Sequence, residues 1–142
     1  MDVCQIIKIV FATIGAGVSY FIGGADGFLY TLIAMVTVDY LTGVMSAIVT
    51  KTLSSTKGYK GIFHKTLIFA LVGIGNMLDV HILKNGSIIR TAVVFYYIAN
   101  EGISILENCT EIGLPVPKKL RDVLMQLKQE SEEEEEDGNT KP

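Results

Sequence analysis

The chain has 142 residues, of which 49% are hydrophobic and only 19% are charged. A soluble domain of this size carries more charge, so the composition favours an integral membrane protein. Six of the fifteen acids lie in one run, Glu132 to Asp137, so the net charge of −3 is a property of the tail and does not indicate a nucleic-acid partner. Cys4 and Cys109 form neither a disulfide framework nor a metal-ligand spacing, and we expect no cofactor.

Long apolar runs predict an all-α membrane protein with three to four transmembrane helices. The predicted spans are residues 6–22, 28–49, 66–83 and 88–109, within a membrane domain of residues 1–114. A cytoplasmic amphipathic helix at 115–129 and a disordered acidic tail at 130–142 are predicted to follow. The first run is marginal in length, and a cleaved signal peptide is the alternative interpretation.

Small residues recur at four-residue spacing in the first two spans. This spacing lets helix backbones approach closely in lipid, so it predicts helix packing and self-association. The residues concerned are Gly15, Ser19, Gly23, Gly43 and Ala47.

Acidic and amide side chains interrupt the second and third spans. A central Asp39 costs about 3 kcal/mol on insertion, which the ten large apolar residues around it offset. Asp39 shares a face with Thr42 and Ser46, and Asn76 shares one with Asp79. Asp39 then needs water or a polar neighbour, so it either faces a pore or another copy, or is bonded inside its own chain.

The fourth span has a polar face. Placed on a helix, its polar side chains fall within an arc of about 120°. They are Asn100, Glu101, Ser104, Glu107, Asn108 and Glu111. Its seven large apolar residues contribute about −2 to −4 kcal/mol, and each central acid costs about 2.5 to 3.5 kcal/mol. We therefore expect this helix to pack against others, line water or lie along the interface.

A basic segment, Thr50 to Lys65, separates the second and third spans. Its glycines predict a loop, and its spacing excludes a P-loop. With four spans, ten Lys and Arg residues fall on one side of the membrane and two on the other. The positive-inside rule then predicts that both termini are cytoplasmic.

Four motifs occur in order and resemble the phage holin family that includes clostridial toxin-secretion holins. They are Asp39-Tyr40-x-Thr42-Gly43, Leu53-Ser54-Ser55-x-x-Gly58-x-x-Gly61, Asn100-Glu101-x-x-Ser104-Ile105-x-Glu107-Asn108 and Gly113-Leu114-Pro115-Val116-Pro117-x-x-Leu120. The resemblance implies a protein of the bacterial cytoplasmic membrane that binds lipid, oligomerises and opens holes. It also implies a functional partner, a cell-wall hydrolase (endolysin) or a toxin, with no direct contact required.

The polar faces supply the pore or oligomer-interface candidates, which are Asp39, Thr42, Ser46, Asn76, Asp79, Asn100, Glu101, Ser104, Glu107 and Asn108. A small ion- or proton-coupled transporter is the main alternative, since buried acids fit it too. A scaffold that recruits soluble proteins through its basic loop and acidic tail is a third. An enzyme is not expected, because no nucleophile–base pair, metal cluster or cofactor motif occurs.

Overall fold

The computed structural model describes residues 1–138, with side-chain surroundings up to residue 133. It contains five α-helices and no strand within that range. They are α1 (Val3–Ile22), α2 (Gly27–Val49), α3 (Ser55–Met77), α4 (Ile88–Ile112) and α5 (Lys118–Gly138), with a π-helical turn at Leu78–Leu83 after α3. Three segments are long and apolar enough to cross a membrane: Val3–Ile22, Gly27–Val49 and Ser55–Leu83. The predicted fold class is confirmed.

Local signals fix the helix ends. The Asp26 side chain accepts a hydrogen bond from Leu29 N at 2.8 Å and caps α2, and Ser54 caps α3 through Lys57 N. Helices α1 and α4 end at Gly23 and Gly113, whose φ angles of 92° and 96° favour glycine. Both helices therefore terminate in a left-handed glycine cap.

Helix α3 begins at Ser55, so the loop predicted over Thr50 to Lys65 is wrong beyond Ser54. Gly58 and Gly61, interpreted as loop residues, lie on the helix and face the ring of Tyr40. A Cβ on Gly61 would lie 3.5 Å from that ring, an ordinary van der Waals contact, so the helix continues through both glycines beside Tyr40. As a result Lys65 lies inside a helix instead of in a loop.

Helix α4 occupies the centre of the bundle. It packs against α2, α3 and α5, and the buried core consists of Leu32, Val36, Ile68, Val72, Val94 and Ile98. Of the three environments expected for this polar-faced helix, the structure shows packing against other helices. Helix α4 is not among the three segments that are long and apolar enough to cross a membrane.

Helix α5 folds back along α4 after the Pro115–Pro117 turn. Leu124 is buried against Gly102, where an added Cβ would lie 2.9 Å from a Leu124 methyl carbon. The helix continues past the predicted end at 129 to Gly138, with Gln126 bonded to Glu130 and Gln129 to Glu133 at i, i+4 spacing. The disorder predicted for the acidic tail, 130–142, stays a prediction, and its residues 139–142 lie outside the described range.

Helix α1 lies at the edge of the bundle, and none of its residues is buried. It contacts α3, where the ring of Phe21 covers Gly73. A Cβ added at Gly15 or Gly17 would have no atom of a neighbouring element within 4 Å in the described part of the chain. Gly15, Ser19 and Gly23 form the small-residue face of α1. The Gly15 end of this face is therefore unoccupied within one copy of the chain.

Candidate functional site

Three charged side chains from three helices meet inside the bundle. The Lys65 ammonium on α3 donates to Asp39 Oδ2 on α2 at 2.5 Å, and also to the Glu101 carboxylate on α4. Asp39 is 8% exposed and Glu101 is 2% exposed. Buried carboxylates require a paired charge or hydrogen bonds, and Lys65 supplies both. We call Asp39, Lys65 and Glu101 the central charge cluster.

Amide and hydroxyl groups extend the central charge cluster along α2 and α4. Asn108 Nδ2 donates to Asp39 Oδ1 at 3.2 Å and to Thr42 Oγ1 at 3.1 Å. One turn farther, the Ser46 hydroxyl donates to the Glu111 carboxylate. The two polar faces predicted on these helices therefore face each other. Of the two environments considered for Asp39, the structure shows bonding inside its own chain.

A second polar cluster holds the opposite end of the bundle. The Asp79 carboxylate accepts from the backbone N–H groups of Ile89 at 3.0 Å and Arg90 at 2.8 Å, which satisfies the first turn of α4. Asn76 Nδ2 donates to the carbonyls of Tyr20 and Phe21. The Asn76 and Asp79 side chains thus have partners within the chain.

Arg90 joins α4 to the turn between α1 and α2. It is 3% exposed and donates to the carbonyl of Ile22 at 2.6 Å, the carbonyl of Gly24 at 3.1 Å and the carboxylate of Asp26 at 2.7 Å. The hydrogen bond from Arg90 holds the pKa of Asp26, which lies in the turn outside the spans, below its ordinary value.

The remaining predicted site residues lie outside the two polar clusters. Ser104 lines a groove beside Asn108, Asn100 is half-buried, and Glu107 is exposed. Gly43 and Ala47 line the same groove. A Cβ added at Gly43 would lie 3.6 Å from Asn108 Nδ2. The structure thus groups Asp39, Thr42, Ser46, Glu101 and Asn108, but not the whole predicted set.

Sequence reasoning missed Lys65 because it placed this residue in a loop, and it missed Arg90 because it counted this residue only as a topology charge at the start of the fourth span. A signal existed for Lys65: two acids inside predicted spans require a cation, and Lys65 borders the third apolar run. Arg90 similarly lies two residues inside the predicted fourth span, where a cation also needs a partner. Within residues 1–133, whose side chains the structure describes, no group of three His, Cys, Asp or Glu side chains could hold a metal ion.

The chain matches known proteins along most of its length. The profile of the bacteriophage holin family matches residues 16–129. A 14.9 kDa uncharacterized protein of Clostridium perfringens is 40% identical, with 89% of this chain and 96% of the relative covered. An uncharacterized protein of Listeria innocua is 37% identical over 92% and 93% of the two chains. A probable holin of Bacillus phage phi105 is 33% identical over 80% and 83%. No solved structure matches the chain significantly.

Proposed function

The chain belongs to the bacteriophage holin family, and from that premise we propose that it oligomerises in the bacterial cytoplasmic membrane and opens holes there. A cell-wall hydrolase or a toxin then leaves the cytoplasm through the holes without having to bind this protein. The observation that carries the proposal is a central charge cluster inside a bundle whose outer side chains are largely apolar. The family assignment does not favour the transporter alternative.

The central charge cluster favours a closed state of each protomer. Lys65 joins α2, α3 and α4, so these helices cannot separate in hydrocarbon without stranding charged groups. Leaving one partner of a buried ion pair uncompensated costs about 3–5 kcal/mol. In the proposed mechanism only water removes that penalty, because it solvates each charge separately.

In the proposed mechanism, association of protomers gives these charged groups access to water. We propose that copies pack through the small-residue face of α1, which is open at Gly15. Past a threshold the helices shift so that the polar faces line water. The residues proposed to do so are Asp39, Thr42 and Ser46 on α2 and Asn100, Glu101, Ser104, Glu107 and Asn108 on α4.

Helix α5 limits where α4 can lie. Its outer side carries exposed charges such as Arg121, Asp122 and Glu132, yet its Ser131 lines the same cavity as Ser87 at the start of α4. A helix with this outer face is not stable in hydrocarbon. When α4 crosses the bilayer, we therefore propose that α5 leaves it and rests at the cytoplasmic surface.

The test is inducible expression in a bacterium together with a cytosolic cell-wall hydrolase. Membrane potential and hydrolase release are recorded for the wild type, Glu101→Leu and Glu132→Leu at matched membrane levels. Glu101→Leu leaves Lys65 and Asp39 as a neutral pair, so we expect a closed state that persists and a later collapse of the potential. Glu132 is exposed on α5, and its variant should behave as the wild type does. Normal timing for Glu101→Leu would refute the pore-lining role of Glu101.

A further inference from the structure

A groove of about 480 Å³ opens beside the central charge cluster, at the end of the bundle where α2 ends and α3 begins. It has a basic side and an apolar side. Lys57, Lys60 and His64 form the basic side, and Val44, Ala47 and Leu53 form the apolar side. Such a groove fits a ligand that is charged at one end and apolar along its length.

The basic side carries uncompensated positive charge. Lys57, Lys60 and His64 recur at three- and four-residue spacing, which puts them on one face of α3. Asp39, the acid in the groove lining, is already held by Lys65 and Asn108. Among the side chains of residues 1–133, none of the ion pairs involves Lys57 or Lys60. Both ammonium groups are therefore available to an anion.

Two glycines of α3 and Tyr40 of α2 line the groove. A Cβ at Gly58 would lie 3.9 Å from the Tyr40 hydroxyl oxygen, and one at Gly61 would lie 3.5 Å from the Tyr40 ring. Larger residues at these positions would occupy the space between Tyr40 and α3. The groove also adjoins the first turn of α3, where the helix dipole favours negative charge.

We propose that this groove binds the phosphate of an anionic phospholipid through Lys57, Lys60 and His64, with an acyl chain along Val44, Ala47 and Leu53. A free phosphate ion would satisfy the basic side only, and the apolar side favours the lipid. Basic pockets between membrane helices at the cytoplasmic side are a known setting for anionic headgroups. The proposal requires the chain to lie in a membrane and is independent of hole formation.

The experiment uses the full chain reconstituted in phosphatidylcholine vesicles that contain a small fraction of spin-labelled phosphatidylglycerol. Electron paramagnetic resonance gives the fraction of that lipid immobilised by protein. Lys57→Gln/Lys60→Gln should lower the association constant about 25-fold, since each of the two basic residues contributes on the order of a fivefold change. Lys57→Arg/Lys60→Arg should retain binding, and Lys118→Gln/Lys119→Gln on α5 is the control with an equal change in charge.

An equal loss in the α5 control would overturn the site, because the effect would then follow net charge alone. Displacement of the labelled lipid by millimolar inorganic phosphate would also overturn it, by showing a free-ion site. Circular dichroism confirms that each variant is folded. Hydrolase release is measured separately, so a variant that loses the lipid but still lyses cells separates this proposal from hole formation.

Discussion

At the scale of single residues, Lys65 determines whether the acids on α2 and α4 are tolerated. It contacts both carboxylates, and Asn108 takes a remaining position on Asp39. Each acid alone would be costly in an apolar bundle, and the shared cation makes the pair acceptable. The acids are therefore best understood together with Lys65, not as isolated polar defects.

We predict that Lys65→Met destabilises the protein by about 3–5 kcal/mol, because it leaves two buried carboxylates without a cation. Thermal unfolding in detergent measures the change, and cells expressing the variant should lose membrane potential earlier. Lys8→Met, which removes an exposed cation from α1, is the control. Adding Asp39→Asn and Glu101→Gln to Lys65→Met should recover much of the stability, and the absence of any recovery would contradict the charge explanation.

Asp26 gives a second residue-scale prediction. The pKa of Asp26 is lowered in the folded chain by the hydrogen bond from Arg90, so its contribution to stability is present above the unfolded pKa of about 4. That contribution is lost as the pH falls through the folded pKa. We expect Asp26→Asn, which keeps an N-cap side chain, to unfold more readily than the wild type at neutral pH.

Unfolding midpoints of both proteins between pH 7 and pH 3 test this expectation. The difference should shrink as the pH falls, because protonated Asp26 resembles the amide. A difference that stays constant over the whole range would show that the Arg90 contact, and not its charge, matters.

At the scale of helices, α4 is enclosed on two sides. Its polar side faces α2 and α3, and the opposite side, which includes Gly102, lies under Leu124 of α5. Gly102 permits this contact because a side chain there would overlap Leu124. The α4–α5 contact is thus specific, although α5 has few apolar residues.

We predict that Gly102→Leu detaches α5 from α4, since overpacking of this kind costs about 1–3 kcal/mol. Limited proteolysis of the protein in detergent should then cleave α5 faster, while the remaining helices stay protected. Gly17→Leu is the matched control, because in the described structure no neighbouring element approaches that position. Equal cleavage rates in all three proteins would show that α5 does not depend on this contact.

At the scale of the whole molecule, charge distribution predicts orientation more sharply once the buried ion pairs are set aside. Lys65 and Arg90 are buried in such pairs, so they no longer count as loop charges. Nine of the ten remaining basic residues then fall on the predicted cytoplasmic side, and Lys84 is on the other. For these ten charges, the positive-inside rule predicts that the side with nine of them is cytoplasmic.

Cysteine labelling tests this orientation in a Cys4→Ser/Cys109→Ser background. We expect Asn85→Cys, between the π-helical turn and α4, to react in intact cells with a membrane-impermeant thiol reagent. Thr52→Cys, between α2 and α3, should react only after the membrane is permeabilised. The reverse pattern would place the connection between α2 and α3 outside the cell and contradict the predicted topology.

The fold class could be predicted from the sequence, because long apolar runs and capping residues act locally. It also identified the polar faces of α2 and α4, since a helix places residues three and four apart on one side. The start of α3 could not be predicted, because Gly58 and Gly61 indicate a loop until Tyr40 is seen to pack on them.

Which polar groups contact each other depends on how the helices pack, and this could not be predicted from the sequence. Lys65 is 26 residues from Asp39 and 36 from Glu101, and no local pattern encodes their contact. The same holds for Arg90, whose partners on α1 and in the following turn are more than 60 residues away. A buried charge requires a partner, but the packing of the helices determines which group lies close enough to be that partner.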